Sequence, residues 1–302
     1  LSYGELDERM NRLGHVLLAH GVGGGDRVAI MLPNGHTHIE AEWAINRVGA
    51  TVVLIGSRLK SGEVAHILAN SQARALLYHA RYEDVVNAVE TKSEPKTTPV
   101  VRLRAPDPLA AEMAKAPATT PKTEKDASPD RSAGVTVYTS GTTGKPKGAH
   151  REMQRADHPP VVDFMRQVGI RHTDRHLVVC PLYHASAPAF AALTLLVGGT
   201  IAILERFDPE AVLRLIDRER LTSAFFVPTM LAELCALDDD VRARYDTSCL
   251  SWVLSGAAPL PTATARAFER KFGAILYNFY GATETGLVTL ALPGEHKARP
   301  GT

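Results

Sequence analysis

No apolar run in this 302-residue chain approaches the ~20 residues that carry a helix across a bilayer, so no transmembrane segment is expected, and peripheral membrane contact is left open. Cysteine is scarce. Cys180, Cys235 and Cys249 lack metal-ligand spacing, which argues against a disulfide framework or a zinc site and fits plain core thiols in a reducing, cytoplasmic compartment. Aromatic residues make up 6% and net charge is +1, with no basic cluster for them to interleave, so nucleic-acid binding is disfavoured. The N-terminus, LSYGELDERM, has neither the basic region nor the apolar run of a signal peptide. It also lacks an initiator Met and starts inside a structured element, so a chain cut from something longer is expected.

What is present is ordinary globular composition, 45% hydrophobic and 22% charged, enough for one large or two moderate cores. The unusual stretch is VTVYTSGTTGKPKG, Val135 to Gly148. A β-branched run through Tyr138 reads as a buried strand that delivers a loop of small and hydroxyl residues. Gly141 and Gly144 allow successive N–H groups to turn inward as an anion-binding nest. Thr139, Ser140, Thr142 and Thr143 add hydroxyls, and Lys145 and Lys147 add positive charge. In chemical terms this is a polyphosphate-binding loop. It is not the ordinary P-loop, because the glycines are only three apart and Pro146 disfavours helix at Lys145.

Along the rest of the chain, strands and helices alternate with short connections, the pattern of an α/β fold with mostly parallel sheets flanked by helices. Ser2 and Glu5 make a capping box for an amphipathic helix, and Gly21 stops it. Strands are expected at Arg27–Leu32, Thr51–Ile55 and Ala75–Tyr78, with helices around Trp43, from a Ser61 cap and over Tyr82–Glu90. Thr91 to Ser132 breaks the pattern with Pro, Lys and Thr. Val100 to Leu103 is read as one more strand, and Ala105 to Ser132 as a mobile surface connection. Two α/β subdomains are therefore expected, residues 1–130 and 131–302, with the connection at about 91–132 between them. In the second, strands are expected at 176–179, 200–204, 223–227, 252–254 and 275–277. Helices are expected at 161–168, 189–197, 209–219, after Pro228, and at 262–272. The acidic run Asp238 to Asp240 reads as a solvated loop.

The phosphate loop closely resembles the signature of the adenylate-forming superfamily, which contains acyl-CoA synthetases, nonribosomal-peptide adenylation domains and firefly luciferase. Four further stretches match the family pattern in the same order: GDRVAIMLPN from Gly25, PLYHASA from Pro181, VLSGAAPL from Val253 and YNFYGATETG from Tyr277. The resemblance, most like a fatty acyl-CoA synthetase, covers essentially the whole chain and implies the large N-terminal domain of these enzymes. It also implies the roles. Gly256, Ala257 and Ala258 border adenine, although by themselves they would equally make a close-packed turn. Tyr280 supplies a face that stacks on adenine and Asn278 an amide near the purine edge, with Phe279 and Gly281 in the same nucleotide-binding stretch. Thr283 contacts a phosphate, Glu284 ligates magnesium, and the loop Thr139 to Lys147, with Lys145 as a catalytic group, holds the leaving phosphates. His184 stands where acyl group, α-phosphate and thiol meet.

What the resemblance implies is a two-step reaction with ATP, magnesium and coenzyme A: a carboxylic acid becomes an acyl-AMP, and a thiol then displaces AMP. PLYHASA holds no carboxylate to pair with an ammonium group, which favours an uncharged tail, a fatty acid first, over an amino acid. Phe225, Phe226, Val227, Pro228 and Thr229 would line an acyl tunnel or be plain core. A fatty acyl-AMP ligase, an aryl-CoA ligase and a non-catalytic nucleotide-binding half-enzyme are the alternatives. Family members continue into an Asp for the ribose, an Arg near a hinge and a C-terminal lobe with a Lys, all beyond ARPGT. By itself this chain is therefore expected to be inactive or weakly active. Oligomeric state is not legible.

Overall fold

The computed structural model describes residues 1–90, 100–122, 134–139, 147–152, 158–282 and 285–295. The chain divides into two compact units, Leu1–Gln154 and Arg155–Thr302.

The first unit begins with α1 (Tyr3–Ala19), capped by Ser2, whose hydroxyl accepts from the Glu5 N–H while Glu5 accepts from the Ser2 N–H. Then come β1 (Arg27–Met31), α2 (His36–Arg47), β2 (Thr51–Leu54), α3 (Ser61–Ser71), β3 (Ala75–His79), α4 (Glu83–Glu90), β4 (Val101–Ala105), α5 (Leu109–Lys115), β5 (Gly134–Thr139) and β6 (Lys147–Glu152). Ser61 is the first helical residue of α3 rather than its cap; Glu63 reaches back to the Lys60 N–H instead.

The sheet order is β4-β3-β1-β2-β5-β6, parallel except for β6, which runs back along β5. Because both faces are covered, β1, β2 and β3 read as unbroken apolar runs. Ala29, Met31, Val53 and Leu76 pack on one face with Val64, Ile67, Val86 and Val89 of α3 and α4. Elsewhere Glu40 of α2, 1% exposed, is held by a two-pronged bond from Arg9 of α1 (2.6 and 3.0 Å) and by His36 (2.8 Å).

Two expectations change here. The boundary near residue 130 moves past β6, because β5 joins β2 in the first sheet. The mobile connection expected from Ala105 is, over residues 105–122, an ordered strap. It contains α5, buries Leu109, and is tied to α1. Arg12 donates to the Ala116 carbonyl (2.6 Å), Asn11 to that of Ala118 (2.7 Å), His15 Nε2 lies 2.9 Å from the Thr119 oxygen, and His20 pairs with Glu112 at 2.8 Å. Pro121 closes over Gly14, where a Cβ would come within 2.8 Å of its ring. Residues 123–132 lie outside the described residues.

The second unit contains α6 (His158–Val168), β7 (Arg175–Val178), α7 (Ser186–Leu196), β8 (Thr200–Ile203), α8 (Pro209–Glu219), β9 (Ser223–Phe226), α9 (Pro228–Ala236), α10 (Asp239–Arg242), β10 (Trp252–Ser255), α11 (Thr262–Phe272), β11 (Leu276–Ala282) and β12 (Gly286–Ala291). Its sheet order is β12-β11-β10-β9-β7-β8, antiparallel only at the β11–β12 hairpin. Leu177, Ala224, Phe226, Val253 and Leu276 face α8, α9 and α11 in one apolar cluster. The opposite face carries Phe225, which touches Phe190 of α7 at 5.1 Å between ring centroids. At the amino ends of the strands, Asp174 accepts from Thr222 (2.9 Å) and the Trp252 indole (3.2 Å), while Trp252 stacks on buried His176 at 5.3 Å. The run expected as a solvated loop includes the short helix α10, with Asp239 bonded to Arg242 and Lys271.

Candidate active site

In open α/β sheets, ligands gather where the carboxyl ends of strands stop and the chain turns away. In the first unit that position is the end of β5. Thr139 closes β5 and pairs in register with Lys147, which opens β6 and is exposed. A strand and not a helix follows the loop, in keeping with Pro146 disfavouring helix at Lys145. Ser140, Gly141, Thr142, Thr143, Gly144 and Lys145 lie outside the described residues. Below the loop, the Tyr138 ring sits against Gly148, where a Cβ would stand 3.1 Å from it, and its hydroxyl donates to Asn70 (2.7 Å).

In the second unit the ends of β10 and β11 lie side by side, with Ser255 opposite Asn278. Side chains alternate along a strand, so both continue the face of Val253 and Leu276, the face of α11. Ser255 is fully buried, and neither its Oγ nor the buried Oδ1 of Asn278 has a hydrogen-bond partner among the described residues. A buried acceptor without a donor costs about 1–3 kcal/mol, so two neighbouring ones at a strand end, unpartnered among the described residues, make that end a candidate binding position. Tyr280, two residues on from Asn278, leaves 68% of its surface exposed. Ala257 then turns the chain with φ +68°, a left-handed conformation that an alanine adopts at a cost, and Ala258 follows it, exposed. A turn of small side chains, an aromatic face and an amide oxygen awaiting a donor thus share one end of one face. That is a fitting environment for a flat heterocycle with an amino group.

Phe279, expected in the same stretch, turns its side chain the opposite way from Asn278 and Tyr280. Its ring lies on the other face, over Gly256, where a Cβ would stand 2.6 Å from its Cε1, and it touches Phe225 (5.7 Å) and Phe190 (5.6 Å). Gly256 is therefore fixed by the close approach of a phenyl ring on that face. Gly281 sits at a register shift of the hairpin, where a Cβ would run into the Gly286 carbonyl. Thr283 and Glu284 lie outside the described residues. Among the described residues no group of three or more His, Cys, Asp or Glu could hold a metal.

His184 lies beyond the carboxyl end of β7, just ahead of α7, its N–H bonded to the Pro181 carbonyl (3.0 Å) and its ring 4.5 Å from that of Tyr183. The side chain is open to solvent on one side, yet crowding by neighbours lowers its pKa below the usual 6.5. The imidazole is then neutral at pH 7, able to donate and accept. Cys180, four residues earlier, is a core thiol beside Met230, with its pKa pushed up to about 12 by burial. The unmet Oγ of Ser255 was not legible in the sequence, since only register with β11 reveals it; the aromatic contacts of Phe190 were equally hidden by its position inside an apolar helix.

The whole chain, residues 1–302, matches the family described as AMP-binding enzyme. A feruloyl-CoA synthase of an Amycolatopsis species is 33% identical over 99% of this chain and 57% of its own length. The long-chain-fatty-acid–CoA ligase FadD13 of Mycobacterium tuberculosis is 27% identical over 100% of this chain and 59% of its own. This chain therefore spans just under three fifths of either relative. Among solved structures, the inhibitor-bound N-terminal domain of FACL13 from Mycobacterium tuberculosis superposes with a TM-score of 0.87 at 27% identity, over 99% of this chain and 73% of that one. No described helix is long and apolar enough to cross a membrane.

Proposed function

This chain belongs to the AMP-binding enzyme family, within which its relatives are acyl- and aryl-CoA ligases, and from that premise we propose that its protein activates a carboxylic acid with ATP and passes it to coenzyme A. The observation that carries the nucleotide half is the amide oxygen of Asn278, without a partner among the described residues, on the same strand face as the exposed ring of Tyr280. Adenine supplies what each lacks: an exocyclic amine to donate to Oδ1 and a π-face to cover the phenol ring. The small residues Ala257 and Ala258 border it.

In this reading the loop from Thr139 to Lys147 holds the phosphates, with Lys145 and Lys147 offsetting charge as the bond to pyrophosphate breaks. Thr283 would contact the remaining phosphate, and Glu284 would hold magnesium, whose chemistry is to draw charge from phosphate oxygens. Neutral His184 adds no cation beside the acid and can hydrogen-bond the carboxylate or the arriving thiol. The PLYHASA stretch offers no carboxylate to an ammonium group, so the acid has an uncharged tail, whether aliphatic, as first expected, or aromatic.

The test is acid-dependent exchange of pyrophosphate into ATP by the gene product that carries this chain, followed by AMP release on adding coenzyme A. Exchange with at least one organic acid is expected, and coenzyme A rather than a carrier protein as acceptor. Tight AMP binding without exchange for any acid would instead make this a nucleotide-binding protein. Exchange without thioester would make it an acyl-AMP ligase.

A further inference from the structure

We infer that the acid is compact, an arene or a short chain rather than a long alkyl chain, and that Phe279 sets this limit; the inference rests on the acid-activating reading above. The nucleotide-facing residues Asn278 and Tyr280 occupy one face of the second sheet, leaving the acid to the other, the face whose helix α7 is preceded by His184. Among the described residues, aromatic side chains line that face. At the carboxyl ends, Phe279 lies on Gly256 and meets Phe225 and Phe190, with centroids 5.1 to 5.7 Å apart among the three rings. Phe164 backs Phe190 at 6.1 Å. Toward the amino ends, the stacked pair Trp252 and His176 continues the packing, 2% and 1% exposed. Among the described residues, aromatic rings thus occupy the sheet beneath α7 at both levels.

Of the three contacting phenyl rings, Phe190 and Phe225 are buried and Phe279 is half-buried, so Phe279 is the surface an arriving acid meets. An arene can join the three rings at the same spacings, offset or edge-on, without displacing any. A long tail has no such place. In an open apolar tunnel each added methylene strengthens binding roughly fourfold, whereas against a closed wall the gain stops once the wall is reached.

The experiment is calorimetric binding of stable acyl-adenylate mimics, acyl sulfamoyladenosines, to the gene product that carries this chain. The acyl groups are benzoyl, cinnamoyl and a straight series from butyryl to palmitoyl. The expected result is an aryl mimic at least tenfold tighter than palmitoyl, and an alkyl series that levels off early. Palmitoyl binding as tightly as the aryl mimics, or tighter, would overturn the compact acid and leave the adenylate reading standing. Failure of every mimic to bind would overturn that reading and this inference together, because all share the adenosine.

Phe279→Ala assigns the residue. If Phe279 is the wall, hexanoyl, which the space left by one ring can take, gains at least tenfold relative to benzoyl, while palmitoyl, still stopped by Phe190 and Phe225, does not. If it is only packing, all mimics weaken together and its role is refuted. Phe279→Leu, which keeps apolar bulk, shifts the same ratio in the same direction by less, and supplies the readout should the alanine variant fail to fold.

Discussion

Neighbouring residues on β11 differ in what their loss should do. Among the described residues nothing donates to Oδ1 of Asn278. Its replacement by alanine is expected to leave the denaturant midpoint unchanged or slightly higher while weakening AMP about five- to tenfold, since one hydrogen bond and not a fold contact is removed. Chemical denaturation and AMP titration of the same sample check both halves; a large stability loss would make Asn278 structural. Gly256 is the reverse case. Gly256→Ala drives a methyl into Phe279 at 2.6 Å and should destabilise by about 1–3 kcal/mol. Adding Phe279→Ala should recover part of that loss, a coupling that a double-mutant cycle measures directly. Additive losses would mean that the two side chains do not meet.

At the scale of the element, the strap from Ala105 to residue 122 is held by α1 through polar side chains rather than by a buried apolar stripe of its own. Arg12→Ala should therefore cost only about 1–2 kcal/mol globally, yet release the backbone amides of α5 and residues 116–119 to faster hydrogen exchange. Unchanged protection there would show that Leu109 and Pro121 suffice. This strap also shows where sequence reading stops. β1, β2, β3 and β10 are apolar because both faces are covered, so their identity is written locally. The α5 stretch LAAEMAK sits among prolines and has only Leu109 buried, so its order comes from partners about a hundred residues earlier that no local pattern announces. The same holds within the candidate site. SGTTGKPKG and NFYGATE are visible as motifs, but only strand alternation decides that Asn278 and Phe279 look in opposite directions. β6 and β12 are likewise invisible beforehand, being short partners defined by the hairpins that return them.

For the molecule as a whole, buried titratable groups set the pH range of stability. Burial lowers His38 to about 4 and His176 to about 3, and raises Glu42 to about 7. Between about pH 4 and 6.5 the unfolded chain binds the two histidine protons and the folded chain does not, so stability falls as pH falls. Glu42 acts oppositely between 4.5 and 7, where only the folded chain keeps its proton. From these three groups the net slope between pH 4.5 and 6.5 is about one proton, or about 1.4 kcal/mol per pH unit. Glu42→Gln should steepen it to about two, read from urea midpoints across that range. An unchanged slope would mean that Glu42 is ionised in the fold.

Alternation along β11 has a consequence for how such a protein diversifies. If Asn278 and Tyr280 meet the nucleotide and Phe279 the acid, as proposed, odd and even positions of a single strand answer to different ligands, and substitutions at 279 can retune one specificity while 278 and 280 keep the other. The two are inherited together but vary separately. A single-residue insertion or deletion in this strand is different in kind: it would swap the two faces at once, so this short stretch should accept replacement far more readily than any change in length.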